Sequence, residues 1–423
     1  MIPVAPLRSS RPRGNVRPGR GARVIPAAPL RSSRFLAEGA GVNVPFTCLV
    51  FSGPEQSRQG IPDTMRVLVW QWGRRGGAPR FAASLVRGLA ALDGVEPQLS
   101  LSTEAELMHS ADAPRCDLPV GTYHNLGGFL WRVVQAPVTV GRLVGALRRL
   151  RSDIAVCALP GPLDLLMIMA LRCLGVPAVV IVHDADAHPG DRTPLLFRLQ
   201  RSLIGRADAV IVLSDHVAQG LRRQAAIRPD ARLAVAAHPP YDFGVTAPPG
   251  AHAGPRRVLI FGRLLPYKGL DLLADALRLL GPRFDLVVRV VGQGPETAAL
   301  AALRALPGVS VENRWVPEDE VGALLEWSDI VVLPYREASQ SGVAAAALAA
   351  GRCVVATEVG GLVEQLGREP QATLCAPEPR SLATALDAAV THPPGPNATV
   401  RRGGEGWTQL GRAVLASLAP IGG

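Results

Sequence analysis

One lysine stands out among the cationic residues of this chain of 423 residues. Lysine and arginine together number 45, yet Lys268 is the only lysine. It follows Arg263 in the segment Phe261–Gly269, between an apolar run and a helical pattern. An ammonium is a compact point charge, and a cation at a strand-to-helix turn suits a phosphate group. We therefore predict that Arg263 and Lys268 bind a phosphate; a solvated loop that kept one lysine by chance is the alternative.

Two more segments of the second half could contact the same anion. Gly294 follows the next apolar run, and Ser341, Gly342 and Val343 stand before an alanine-rich helical stretch. Free backbone amides and the helix dipole favour an anion at such a start, and Gly342 lets the backbone approach closely. The alternative is an ordinary helix N-cap formed by Ser339 or Ser341.

A histidine-containing loop ends a strand pattern in the first half. His183 and Asp184 directly follow the apolar run Ala178–Val182. A lone histidine at a strand end is more often a structural hydrogen-bonding residue. Asp184 and Asp186 also form an Asp-x-Asp pattern to which His188 could add a ligand, so a divalent metal site is a second interpretation. Because such acid pairs are frequent by chance, the metal site ranks lower.

Glycines mark the first predicted strand-to-helix turn. Gly76 and Gly77 could present backbone amides to a ligand there, although turn geometry alone is an equal explanation for Gly76. The turn lacks G-x-G-x-x-G spacing, and the later Gly292–Gly294 turn lacks the third glycine. A nicotinamide-dependent dehydrogenase is therefore disfavoured.

The elements that must position these residues alternate between strand and helix patterns from Met65 onward. The alternation predicts an α/β fold with two facing, doubly wound parallel sheets. Ligands bind such sheets at the carboxyl ends of the strands, where all of these loops lie. The predicted strands are Met65–Trp70, Ala178–Val182, Ala209–Leu213, Val258–Phe261, Leu286–Val291, Val309–Val311, Ile330–Leu333 and Val354–Ala356.

Composition divides the chain into segments. Residues 1–64 are rich in Pro, Gly and Arg, and we interpret them as a disordered or mis-annotated extension, with a transit peptide as the alternative. We predict a first domain at 65–247, a Pro/Gly-rich hinge at 248–256 and a second domain at 257–405. A terminal helix at 406–423 is expected to pack back on the first domain.

Taken together, the loops of the second half resemble the donor-binding half of the GT-B retaining glycosyltransferases of family 4, or glycosyl transferases group 1. The resemblance rests on Arg263 with Lys268, on the turn at Gly294, and on the run Glu-Ala-Ser-Gln-Ser-Gly-Val at 337–343, which is typical of one subgroup. It covers about residues 65–375. It implies a GT-B fold and sugar transfer from a nucleotide-diphosphate sugar to an acceptor hydroxyl, with retention of anomeric configuration.

The resemblance also implies roles for single residues. Glu337 would contact hydroxyls of the transferred sugar, Val316 would place backbone groups against the nucleobase, and His183, oriented by Asp184, would lie beside the reacting carbon. Most relatives carry a second acid about two helical turns after the first, but Ala344–Ala347 fills that stretch here. This departure puts the usual ribose contact in doubt. No cofactor or metal is expected, because two cations can neutralise the leaving phosphate.

Charge distribution bears on partners. Residues 1–250 carry the positive surplus, and four arginines lie in one helical stretch, namely Arg142, Arg148, Arg149 and Arg151. Contact of the first domain with an acidic membrane surface is one interpretation, and a solvated helix face is the other. The segment Leu163–Val182 contains Asp164 and Arg172, so a helix followed by a strand is predicted there and not a membrane span. We expect no nucleic-acid partner.

Polysaccharide or lipid-linked oligosaccharide assembly on the cytoplasmic membrane face, with a glycan or lipid-linked acceptor, is the expected setting. Two other classes of function stay open. One is a non-catalytic subunit that keeps the fold and binds a nucleotide sugar or glycan, which the missing second acid favours. The other is a sugar-nucleotide epimerase on the same two-domain fold, which needs no acceptor.

Overall fold

A computed structural model describes residues 64–110, 112–190, 194–247, 249, 254–282, 285–391, 400 and 403–419. The predicted N-terminal extension therefore lies outside the described residues except for Thr64. Most of the predicted hinge lies outside them as well. The domain limits stay predictions.

The first parallel sheet has the strand order β2-β1-β3-β4-β5-β6. Its central strands β4 and β5 are buried at every residue, as expected for apolar runs covered by helices on both faces. The strands are β1 Met65–Gln71, β2 Val95–Leu101, β3 Ile154–Cys157, β4 Ala178–Val182, β5 Ala209–Val212 and β6 Arg232–Val235. The helices are α1 Gly77–Ala90, α2 Leu126–Val134, α3 Ala136–Leu150, α4 Asp164–Leu174, α5 Pro194–Ile204 and α6 Asp215–Arg223.

The second parallel sheet has the order β12-β11-β10-β7-β8-β9. Its strands are β7 Arg256–Phe261, β8 Leu286–Gly292, β9 Val309–Asn313, β10 Ile330–Leu333, β11 Cys353–Thr357 and β12 Ala372–Cys375. Its helices are α7 Leu270–Leu280, α8 Ala298–Arg304, α9 Glu318–Trp327, α10 Gly342–Ala349, α11 Leu362–Leu366 and α12 Pro379–Thr391. We call the part built on β1–β6 the first lobe and the part built on β7–β12 the second lobe.

The predicted α/β class with two doubly wound parallel sheets is confirmed. All eight predicted strands exist, and their ends differ from the predicted ones by at most two residues. The sequence pattern does not reveal β2, β3, β6 or β12. Strand β2 carries Pro97 and buries polar Gln98 and Ser100, while β6 is a partly exposed edge strand, so neither shows an apolar run.

The segment predicted to hold a helix followed by a strand contains α4 and β4, as expected. Across the described ranges, no helix combines the length and apolar character needed to cross a bilayer.

A last helix, α13 Gly404–Ala416, packs against α1 of the first lobe. The approach is close, because a side-chain carbon on Gly88 would lie 2.4 Å from the Trp407 backbone. The Trp407 ring also meets the Phe81 ring edge to face at 4.9 Å. The chain therefore returns to the first lobe after completing the second.

Candidate functional site

The loop after β7 brings the two predicted cations to one aromatic ring. Arg263 is exposed, and its Nη2 donates a hydrogen bond to the Tyr267 hydroxyl at 2.9 Å. The Lys268 Nζ lies 5.0 Å from the centre of the Tyr267 ring and 3.7 Å from that of Tyr335. Arg263 and Lys268 thus share Tyr267, and both charges lie at the carboxyl end of the second sheet.

The environment of Lys268 disfavours its own positive charge. Burial and the nearby charge of Arg263 lower the pKa of Lys268, the carboxylate of Asp184 opposes them, and the resulting pKa is about 7. A bound anion would act in the same direction as Asp184 and would restore the ammonium. The site is therefore set up to gain from an added negative charge.

Backbone packing fixes the position of this loop. Gly269 has a φ of +64°, and a side-chain carbon there would lie 1.8 Å from the Pro334 carbonyl oxygen. In addition, the Arg336 amide donates to the Tyr267 carbonyl at 2.8 Å. Because β7 and β10 are neighbours in the sheet, their following loops meet. This contact places Tyr335 beside the Lys268 ammonium.

Gly294 has a comparable role in the loop after β8. A side-chain carbon on Gly294 would lie 2.1 Å from the Leu264 carbonyl oxygen. The Gly294 amide donates a hydrogen bond to the Asn313 Oδ1 at 3.0 Å, so it is already used within the protein. Gly294 therefore supports the Arg263 loop through close packing.

The amino end of α10 faces the same region. Ser341 caps the helix by accepting a hydrogen bond from the Ala344 amide at 3.2 Å, and its own amide donates to Gln365 at 2.9 Å. The amides of Gly342 and Val343 lie in the first turn, where no carbonyl of the helix can accept a hydrogen bond from them. The Val343 side chain lies 3.6 Å from the side-chain position of Gly262, beside the Arg263 loop.

The alanines that follow point into the protein core. Ala344, Ala345, Ala346 and Ala347 are all 2% exposed or less. They take part in the apolar cluster beneath the helix. The stretch that replaces the usual second acid is therefore a packing surface.

His183 lies deep at the end of β4. Its Nε2 hydrogen-bonds the Ala158 carbonyl at 3.1 Å, and the Phe81 ring packs edge-on against it at 4.6 Å. Burial lowers its pKa, although the neighbouring Asp184 opposes this effect. The ring is therefore neutral near pH 7, with the hydrogen on Nε2.

Asp184 faces the second lobe. Burial would raise its pKa, but hydrogen bonds from His188 and Ser339 lower it overall, so the carboxylate is ionised. His188 is the partner that the sequence reasoning used only as a possible metal ligand. Its ring lies between the two lobes, 3.0 Å from Asp184 and 3.2 Å from Glu337. The i, i+4 spacing of Asp184 and His188 was the only local signal of this contact.

The Asp-x-Asp pattern does not form a ligand set. Asp186 is exposed and accepts a hydrogen bond from Gln224 at 2.7 Å, while Asp184 binds His188. Within the described part of the chain, no three His, Cys, Asp or Glu side chains are grouped as a metal site requires.

Gly76, Gly77 and Val316 lie where the lobes meet near α1. Gly76 has a φ of +79°, and its side-chain position is 3.9 Å from the Trp315 ring. The Tyr241 hydroxyl donates to the Gly77 carbonyl at 3.4 Å. Val316 follows Trp315 and packs partly buried against the apolar core. The glycine turn of the first lobe thus meets the segment that contains Val316.

The structure therefore brings Arg263, Lys268 and Asp184 together, and His188 links Asp184 to Glu337. Ser341 is connected to this group through Tyr335, whose hydroxyl lies 3.3 Å from the Ser341 Oγ. Gly76, Gly77 and Val316 form a separate contact, and His183 lies beneath the cleft. Sequence reasoning missed Tyr267, Tyr335 and the bridging role of His188.

Comparisons with known proteins cover both lobes. The model described as Glycosyltransferase Family 4 matches residues 75–239, and that described as Glycosyl transferases group 1 matches residues 255–392. A D-inositol 3-phosphate glycosyltransferase of Jonesia denitrificans is 30% identical over 219 residues, or 46% of this chain and 51% of that protein. The match thus spans about half of that relative.

A 2-deoxystreptamine glucosyltransferase of Streptomyces kanamyceticus is 27% identical over 289 residues, or 62% of this chain and 73% of that protein. Among solved structures, Anabaena HepE in complex with UDP and glucose matches 84% of this chain and 100% of its own. Its TM-score is 0.59 at 18% identity, so the likeness concerns the fold. The predicted GT-B architecture of two facing lobes is confirmed.

Proposed function

We propose, from the premise that this chain belongs to the group 1 glycosyltransferases of family 4, that it transfers a sugar from a nucleotide-diphosphate sugar to an acceptor hydroxyl. The observation that carries the proposal is the cation pair around Tyr267. Burial and Arg263 make the ammonium of Lys268 costly until an anion arrives. A diphosphate beside the amino end of α10 meets that need.

The reaction follows from these positions. The bond from the sugar C1 to the diphosphate oxygen breaks, and Arg263 with Lys268 stabilises the charge that develops on the phosphate. The acceptor oxygen bonds to C1 on the same face, and its proton passes to the departing phosphate oxygen. Anomeric configuration is then retained. Glu337, whose side chain is 44% exposed, would accept hydrogen bonds from the sugar hydroxyls.

His183 and Asp184 would act on the acceptor side. His183 is neutral and bonded through Nε2 to the Ala158 carbonyl, which fixes its orientation below the cleft. Asp184 is ionised and adds the charge that partly supports Lys268. Gly342 and Val343 would hold the diphosphate through their amides, and Val316 would contact the base.

A donor panel tests the proposal. Thermal shift with UDP-, GDP- and ADP-sugars should identify a donor, because binding to the native state raises the melting temperature. Transfer to an added acceptor should then fall by about 100-fold or more in Lys268→Ala, as expected when a charge-stabilising group is lost. A chelator should leave the rate unchanged. A wild-type protein that binds the donor but never turns it over would instead support the non-catalytic subunit.

The epimerase alternative has a separate outcome. An epimerase would release an altered nucleotide sugar without any acceptor, whereas a transferase releases the nucleotide diphosphate. Chromatography of the reaction mixture distinguishes the two products. We favour the transferase because the site gathers cations for a departing diphosphate.

The acceptor in this proposal is a glycan or lipid-linked molecule, at the cytoplasmic face of a membrane, in polysaccharide or glycolipid assembly. Helix α2 supports it, because none of its residues is buried. Half of the large apolar side chains that are exposed in the described residues lie at 126–138, namely Leu126, Leu130, Trp131, Val133, Val134 and Val138. Residues 118–152 also hold five arginines and no acid. An apolar ridge beside exposed arginines suits an anionic lipid surface.

Sedimentation with lipid vesicles tests this surface. We expect binding to phosphatidylglycerol vesicles that weakens with salt, and little binding to phosphatidylcholine. Arg148→Gln with Arg149→Gln should weaken binding about tenfold or more, since each basic residue contributes about 1 kcal/mol. Leu130→Ser should weaken it by about tenfold, because an apolar side chain that enters the lipid is lost. Leu279→Ser, at an apolar residue 58% exposed on α7, and Arg222→Gln with Arg223→Gln are matched controls. Equal losses in the controls, or a dimer that Leu130→Ser disrupts, would contradict the lipid surface.

A further inference from the structure

His188 connects carboxylates from the two lobes. Its Nε2 lies 3.0 Å from the Asp184 Oδ1 in its own loop, and its Nδ1 lies 3.2 Å from the Glu337 Oε1 in the loop after β10. The ring is only 6% exposed. It stacks on Tyr267 at 4.6 Å with an interplanar angle of 20°. Two carboxylates and the ring of Tyr267 therefore contact the imidazole.

These partners determine the protonation of the ring. Ionised carboxylates only accept hydrogen bonds, and a neutral imidazole can donate from one nitrogen only. Both contacts of His188 are satisfied together when both ring nitrogens carry a proton. A neutral ring would leave one of its nitrogens facing a carboxylate oxygen, acceptor against acceptor.

The charged surroundings favour the same state. Asp184, Glu337 and the Tyr267 ring face His188 directly, while Lys268 and His183 act on it through Asp184. Burial would lower the pKa of His188, but the hydrogen bond and charge of Asp184, followed by those of Glu337, raise it above its usual value. The imidazolium is thus the form that the closed lobes stabilise.

We propose that protonated His188 is a positioning residue that fixes Glu337 across the cleft, and that loss of its second proton releases Glu337 and weakens lobe closure. The inference rests on the proposed function, because Glu337 is taken there to contact the donor sugar. His188 holds Oε1 of Glu337 while the side chain stays 44% exposed. The carboxylate can therefore accept a sugar hydroxyl from a fixed position.

Histidine NMR tests the contact without any turnover. In protein labelled with ¹⁵N-histidine, the His188 signals are those absent from His188→Gln. We expect both ring nitrogens to be protonated at neutral pH, with a titration midpoint above the ordinary value of about 6.5. Glu337→Gln should lower that midpoint. A midpoint at or below about 6.5, or one that Glu337→Gln leaves unchanged, would overturn the proposal.

Kinetics test the consequence for the donor. At pH 6.5, His188→Gln should raise the donor KM about tenfold and change kcat less than about threefold, as expected for losing one charge-assisted hydrogen bond. At pH 9 the wild-type KM should approach that of the variant. His109→Gln, at an exposed histidine of the first lobe whose ring contacts the Thr103 carbonyl, should behave like wild type. An unchanged pH profile of KM in His188→Gln would contradict the positioning role.

The two tests separate this inference from the proposed function. Absence of transfer in wild type with every donor would defeat the proposed function, yet the NMR titration would still report on His188. Transfer with the same KM and pH profile in wild type and His188→Gln would defeat the inference alone.

Discussion

At the scale of single residues, Lys268 shows how a charge can be held ready for a ligand. Burial disfavours the ammonium and Arg263 repels it, so its pKa falls to about 7. An exposed lysine would be charged at every physiological pH and would gain little from a new anion. Here a bound anion stabilises the ammonium, so binding of the anion and protonation of Lys268 are linked.

The first prediction follows from this linkage. Above pH 7 the free protein holds Lys268 largely neutral, and a bound diphosphate raises its pKa again. Binding of a nucleoside diphosphate at pH 8 should therefore take up roughly one proton, and uptake should disappear near pH 6, where Lys268 is already charged. Calorimetry in buffers of different ionisation enthalpy measures the uptake. The same uptake in Lys268→Met would show that another group is responsible.

The pKa of His188 is shifted in the opposite direction to that of Lys268, and this has a consequence for stability. Its folded pKa is raised, so its contribution to the free energy of unfolding is fully present below about pH 6.5 and is lost as the pH rises through the folded pKa. The difference in melting temperature between wild type and His188→Gln should shrink over that range. A difference that is constant from pH 6 to pH 9 would contradict this assignment.

At the scale of elements, close backbone packing sets the loops around the cations. Gly269 and Gly175 both have a φ near +65°, but only Gly269 has backbone within reach of a side-chain carbon. The strain of a left-handed alanine is common to both positions, at about 1 kcal/mol. The clash with Pro334 is added at Gly269 alone.

We therefore expect Gly269→Ala to lower the free energy of unfolding by clearly more than Gly175→Ala, and to weaken donor binding as the Arg263 loop shifts. Gly175→Ala, at the end of α4, should leave donor binding unchanged. Denaturant unfolding and donor thermal shift measure the two effects. Equal destabilisation by both substitutions would mean that the Pro334 backbone moves aside with no loss in the free energy of unfolding.

The same elements show what the sequence could reveal. Apolar runs located β4, β7, β8 and β10. The loops that follow these strands, together with the first turn of α10, hold every predicted site residue from His183 to Val343 except Val316. The sequence did not point to Tyr267 and Tyr335, because the contact of Lys268 with both rings depends on two loops that are distant in the chain. Such a contact leaves no local sequence pattern. The contact of His188 with Glu337 spans 149 residues and depends on how the lobes face each other.

At the scale of the whole molecule, the lobes also meet through polar contacts that do not involve His188. Glu364 of α11 accepts hydrogen bonds from the Asp215 and His216 amides at the start of α6, at 2.6 and 2.9 Å. Arg80 of α1 pairs with Glu318 of α9, and the Trp315 Nε1 donates to Glu106 at 2.8 Å. Several separate polar contacts thus join the two lobes.

The amides held by Glu364 yield a prediction about closure. Glu364→Ala leaves the first amides of α6 without their acceptor, at a cost of about 1 kcal/mol, and weakens the joined state of the lobes. Amide exchange of Asp215 and His216 should become faster, and the donor KM should rise. Glu326→Ala, at an exposed acid of the same lobe, is the control. Unchanged exchange at α6 would show that water replaces the carboxylate at no loss.

The return of α13 to the first lobe has a consequence for how the protein is made. During synthesis, α1 leaves the ribosome some three hundred residues before Trp407 does, and its surface at Gly88 stays open until then. The first lobe can complete its packing only when α13 has been made. A ribosome stalled before α13 should therefore carry a nascent chain whose α1 surface is accessible to chaperones and proteases, while the sheet of the second lobe has already formed.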